Sequence, residues 1–64
     1  MIKVTRLNDK EFVINTDIIE FIESTPDTVI TTTTGKKVIV KEDVDEVINR
    51  VVEFKRKIFQ GSYK

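Results

Sequence analysis

Two β-branched runs parted by a single glycine, in the segment TPDTVITTTTGKKVIV from Thr25 to Val40, constrain this chain more than any other feature. Valine, isoleucine and threonine fit a pleated, half-buried surface, and glycine supplies the positive φ that a reversal needs. The segment predicts a β-hairpin with strands at about 28–33 and 36–41. Taking Thr34-Gly35 as a two-residue loop sets Val29 opposite Val40, Ile30 opposite Ile39 and Thr31 opposite Val38. Val29, Val38 and Val40 then share one face, with Ile30 and Ile39 on the other. The threonines suit strand propensity and cross-strand hydrogen bonding. A ligand-recognising threonine array is the sharper alternative, with no second feature behind it.

Upstream, alternation over about 2–7 and 11–15 predicts another hairpin, with Asn8-Asp9 as its turn. A two-residue loop there pairs Leu7 with Lys10, Arg6 with Glu11, Thr5 with Phe12 and Val4 with Val13. Leu7, Phe12 and Ile14 share one face, and Ile2, Val4 and Val13 the other. The segment at about 18–24 reads as a strand joined to the next by a Pro26-Asp27 turn. A short helix capped by Asp17 stays open as the alternative, because Ile18, Phe21 and Ile22 also fit one helical turn.

The last element is a helix at about 44–59. Asp43 and Glu46 have capping-box spacing, and Val44, Val47, Ile48, Val51, Phe54 and Ile58 form a stripe at three- and four-residue intervals. Acidic residues at its start and Lys55, Arg56 and Lys57 near its end complement the helix dipole. Gly61 marks the stop, followed by a frayed tail from Ser62 to Lys64. Val52 and Phe59 widen the apolar face beyond what one small sheet covers. The expected fold is α+β: a small antiparallel sheet of four to five strands, flat or curled into a partial barrel, then one C-terminal helix. All of it lies in one domain over residues 1–64.

Sixty-four residues form a modest core, and a chain of this size commonly needs a disulfide, a metal or a partner. With no cysteine and no histidine, a disulfide is excluded and a zinc site lacks its usual ligands. The same absence removes the commonest general base and the best nucleophile, so no catalytic residue and no cofactor is expected. Glu20, Glu23 and Asp27 are read as solvated charges near turns, and two glycines make no phosphate loop. No apolar run approaches a membrane span, and the chain starts directly in a strand pattern, so a cytoplasmic location is expected.

Eleven basic residues balance eleven acidic ones, which gives no general attraction to nucleic acid. Local contacts through Lys36 and Lys37, or through Arg50, Lys55, Arg56 and Lys57, form the nucleic-acid alternative. Phe12, Phe21 and Phe54 fall on expected core positions, which leaves no stacking platform. Self-association follows more directly. Both hairpins are apolar on both faces, and one helix covers only one of them. A homo-oligomer is expected, with Ile30, Thr32, Ile39, Val52 and Phe59 as candidate interface residues.

Three segments, MIKVTRLNDKEFVIN, IEFIESTPDTVI and TTGKKVIVKEDVDEVI, together resemble the FlbD/SwrD family of small flagellar and swarming-motility proteins. The resemblance runs from Met1 to about Ile58. It departs at Asn8-Asp9, where the family usually has Asn-Gly, and at Thr32, where leucine is frequent. It implies a non-enzymatic cytoplasmic accessory of the bacterial flagellum, peripheral to the motor, that supports motor torque through the stator units. It carries no catalytic motif onto these residues.

Overall fold

The computed structural model describes residues 1–24 and 26–62, with side chains described as far as Ile58. The order is β1 (Ile2–Thr5), β2 (Glu11–Ile14), a 3-10 turn (Thr16–Ile18), β3 (Ile19–Glu23), β4 (Thr28–Thr32), β5 (Lys37–Val40) and α1 (Val44–Ser62). The chain is α+β, as expected. Its strands form two small antiparallel sheets, β1-β2 and β3-β4-β5. The two sheets touch through one bridge, Arg6 to Val40, and no barrel closes among the described residues.

Both hairpins differ from expectation by one residue, for one reason. In the first, Asp9 N donates to Arg6 O at 3.0 Å, Arg6 N donates to Lys10 O at 2.9 Å, and Asp9 has φ 68°. In the second, Gly35 N donates to Thr32 O at 2.9 Å, Thr32 N donates to Lys36 O at 2.8 Å, and Gly35 has φ 86°. Each loop therefore has three residues, with the left-handed residue third rather than second. Val4 now faces Phe12, Thr5 faces Glu11, Ile30 faces Val38 and Val29 faces Ile39.

That shift re-sorts the faces. Ile2, Val4, Phe12 and Ile14 gather on one side of the first hairpin, leaving Lys3, Thr5, Glu11 and Val13 on the other. Arg6 no longer opposes Glu11 and stacks over the Phe12 ring at 4.3 Å. In the second hairpin Ile30 joins Val38 and Val40 in the core, and Ile39 is left outside. The buried core is Ile2, Val4, Ile14, Ile30, Val38, Val40 and Val47, with Phe12, Ile19, Ile22, Val51 and Phe54 packed against it.

The segment open between strand and helix is a strand, β3, entered through the 3-10 turn. The turn is capped by Asn15, whose side chain accepts from Asp17 N at 3.0 Å, and not by Asp17. Thr33 N donates to Ile18 O at 2.8 Å and ties the turn to the central hairpin. A register shift between Ile19 and Phe21 turns Ile19 and Ile22 inward and Phe21 outward. Phe21 is therefore not a core residue.

Asp43 caps α1 by accepting from Glu46 N at 2.8 Å. Glu46 does not complete the box and instead accepts from Arg50 Nε at 3.0 Å. The helix passes Gly61 and runs to Ser62, so Lys55, Arg56 and Lys57 lie before its last turn. Tyr63 and Lys64 of the expected frayed tail lie outside the described residues. At 19 residues the helix is about 28 Å long, whereas the four-residue β1 beneath it spans about 13 Å. Val47, Val51 and Phe54 meet the sheet, but Ile58 of the expected stripe is exposed because no strand reaches it, and Ile48, level with Val47 and Val51 along the axis, is exposed on the flank of the helix.

Candidate functional site

The polar centre of the molecule is a clasp on the outer edge of β1. Glu42 accepts from Thr5 N at 2.9 Å, from Thr5 Oγ1 at 2.8 Å and from Arg50 Nη1 at 2.8 Å. Arg50 Nη1 also donates to Lys3 O at 2.7 Å, and Lys41 N donates to Thr5 O at 2.8 Å. Backbone groups of β1 that a neighbouring strand would satisfy are met by two side chains and one turn amide. This explains why the two sheets join at a single bridge: β5 ends at Val40, and the clasp takes its place along β1.

Burial pushes the Glu42 carboxyl up, but hydrogen bonds from the Thr5 and Glu42 backbone amides, the Thr5 hydroxyl and Arg50 outweigh it. The group is held below its ordinary value. Burial likewise pulls Arg50 down, while Glu46 and Glu42 more than compensate and raise it. Arg50 thus ties the helix to the strand through Lys3 O and Glu42, and Glu42 ties the turn before the helix to Thr5. No cluster of side chains able to hold a metal ion occurs among the described residues. Beside the clasp, an open depression of about 550 Å³ between α1 and the first hairpin is lined by charges of both signs, including Lys3, Glu11, Glu53 and Lys57.

The candidate interface residues part company. Ile30 is 0% exposed and Thr32 4%, both on the core side, where Thr32 shares a hydroxyl hydrogen bond with Thr34 at 2.9 Å. A polar Thr32 therefore does not make a surface patch more polar. Ile39 is 43% exposed on the outer face of β3-β4-β5, and Val52 is 45% exposed on the helix beside Ile48. Phe59 lies in the helix, but its side chain falls outside the described residues.

The outer face of the second sheet carries a residue that the spacing misplaced. Phe21, 56% exposed, lies in a row with Thr31 and Lys37, and the next row is Glu23, Val29 and Ile39. Glu23, Val29, Lys37 and Ile39 line a shallow groove of about 350 Å³. Thr31 lies between Phe21 and Lys37, and its buried hydroxyl has no partner. Of the candidate phosphate contacts, Lys55 pairs with Asp17 at 3.2 Å and Arg56 with Glu53 at 3.7 Å. Lys36 and Lys37 are adjacent in sequence and leave opposite faces of the hairpin.

No helix of the described chain is long and apolar enough to cross a membrane. No curated protein and no solved structure matches the sequence. The profile of FlbD, flagellar and swarming motility proteins, matches residues 1–59. A match over nearly the whole chain leaves one conclusion: this protein belongs to the FlbD family of flagellar and swarming motility proteins.

Proposed function

We propose that the protein is a non-enzymatic accessory of flagellar motility that supports motor torque by binding a motor or stator component at the cytoplasmic side, and that it self-associates. The observation behind the reading is the distribution of apolar surface. Ile48 and Val52 lie one turn apart on the helix, and Phe21 and Ile39 share the outer face of the second sheet, among exposed apolar side chains that also include Met1, Leu7, Val13, Ile18 and Ile58. Surfaces of this kind suit protein contacts. The helix stripe is assigned to the motor component. Val52→Glu with Ile48→Glu is expected to abolish complementation of swarming in a deletion strain, at normal protein level and unchanged circular dichroism. Full swarming by such a variant overturns the assignment.

A nucleic-acid reading has one observation in its favour, the exposed Phe21 ring on the same sheet face as Lys37, two strands away, since an aromatic can stack a base while a cation meets its phosphate. Contacts from Lys36, Lys37, Lys55, Arg56 and Lys57 would add to it. The absence of any gel shift with single-stranded RNA or DNA at low salt, where phosphate contacts are strongest, disposes of it.

A further inference from the structure

The outer face of β3-β4-β5 has a charge arrangement that complements itself. Its six positions form a grid of two rows across three strands: Phe21, Thr31 and Lys37, then Glu23, Val29 and Ile39. Glu23 and Lys37 occupy one pair of opposite corners, and the apolar Phe21 and Ile39 the other. Neighbouring strands are about 4.8 Å apart and alternate residues about 7 Å, so each diagonal is on the order of 12 Å. Neither Glu23 nor Lys37 forms an ion pair among the described residues, although both line the same groove.

We infer that this face is a two-fold interface between two copies of the chain, in which Glu23 of each copy pairs with Lys37 of the other. A two-fold axis lying in the plane of the face along the Phe21–Ile39 diagonal brings each of the other two corners to within about 4 Å of the other's place, a gap that lysine and glutamate side chains span. It carries Glu23 over the partner's Lys37, and Lys37 over the partner's Glu23. The same axis lays Phe21 on its own equivalent at one end and Ile39 on its own equivalent at the other. The interface is isologous, so it closes at two copies and forms no filament. The strands of the two sheets cross steeply, as in orthogonal sheet packing.

Charge selects this occupant. Six paired positions with one anion and one cation on a diagonal, and exposed Glu20 beside Phe21 at the register shift, have neither the uniform positive sign of a nucleic-acid surface nor the uncharged surface of a lipid anchor. Extent sets the strength. Three strands of four to five residues offer less than the roughly 800 Å² per partner of a standard interface, so the dimer forms reversibly at micromolar or higher concentration.

This inference rests on the self-association part of the proposed function and adds to it the face, the symmetry and the pairs. Sedimentation velocity across about 5–500 µM, a range that spans weak dimerisation, reads each separately. Wild type is expected to pass from one chain mass to two. Glu23→Lys places lysine against lysine and Lys37→Glu places glutamate against glutamate, so each variant alone should dimerise at least about fivefold more weakly. Mixed in equal amounts, the two variants form a heterodimer with both pairs restored, and the mixture should recover wild-type mass. Ile39→Glu should remain a monomer, with the circular dichroism of each variant checked against wild type. A wild type that stays at one chain mass overturns both the interface and self-association. A dimer that survives the single charge reversals and Ile39→Glu, or a mixture that does not recover, overturns this face and leaves self-association standing.

Discussion

Replacing Glu42 by alanine asks how much of the fold depends on one carboxylate. Glu42 takes three hydrogen bonds, two from Thr5 at 2.9 and 2.8 Å and one from Arg50 at 2.8 Å. The Thr5 hydroxyl can rotate to water, and Arg50 keeps 37% of its side chain exposed. The Thr5 amide is fixed in the backbone of β1 and part-buried, so water replaces the carboxylate there only incompletely. Leaving that amide without a partner costs about 1–3 kcal/mol. The solvent-screened pair with Arg50 adds about 0.5–1 kcal/mol. The expected loss of about 1.5–4 kcal/mol is a large part of the roughly 3–10 kcal/mol that a 64-residue chain commands. Urea unfolding followed at 222 nm has a slope of about 1 kcal/mol/M for so small a protein, so the midpoint should fall by at least about 1.5 M. A midpoint within about 0.5 M of wild type, at unchanged slope, refutes the reasoning.

Acid supplies the control. The Glu42 carboxyl lies lower in the folded chain than its ordinary 4.5, so its contribution is complete above that value. The contribution disappears as pH falls through the lower folded value. The stability gap between wild type and Glu42→Gln should therefore be constant at neutral pH and close below about pH 4.5. A gap that widens on acidification reverses the sign and rejects the account.

Two smaller perturbations test the hairpins. Thr31→Val removes a buried hydroxyl that has no partner and keeps the shape, so it should raise the unfolding free energy by about 1 kcal/mol, read by thermal melting. A loss instead means that the hydroxyl is engaged. Gly35→Ala meets no atom within 4 Å, so its cost is conformational only, about 1 kcal/mol for φ 86°, with Gly35→Asn closer to wild type. An alanine variant as stable as wild type contradicts a left-handed third loop position.

The elements were legible because each has a local signature. Alternation marks the strands, and Asp43 with the three- and four-residue spacing after it marks the helix start. The registers were not, although Thr34 held a clue. A two-residue loop of the common primed type wants positive φ at both central positions, and a β-branched threonine resists it. Reading Gly35 as the third residue of a longer loop moves Ile30 into the core and Ile39 onto the surface. Phe21 was misplaced by the irregularity in β3, which interrupts the period of two that the spacing relies on. The stripe extended too far because periodicity reports which side of a helix is apolar, not how much sheet lies beneath it. Glu42 and Arg50 looked like an ordinary acidic helix start and a surface base. Their partners Thr5 and Lys3 are 37 and 47 residues away, and no local pattern encodes such a contact.

The clasp also sets an order of events in time. The edge of β1 is synthesised well before the groups that finish it, Lys41, Glu42 and Arg50. Until these have emerged, the first hairpin is a two-stranded ribbon with an open edge, and such ribbons are marginal in water. Closure of that edge and docking of the helix are one step, because the same arginine bonds the strand and sits on the helix. Folding must therefore wait for a long loop to close, which makes it slower than its helix alone would suggest. A nascent or truncated chain ending before Arg50 presents a bare strand edge to whatever it meets, so the intact C-terminal third serves the N-terminal third as its safeguard against mispairing.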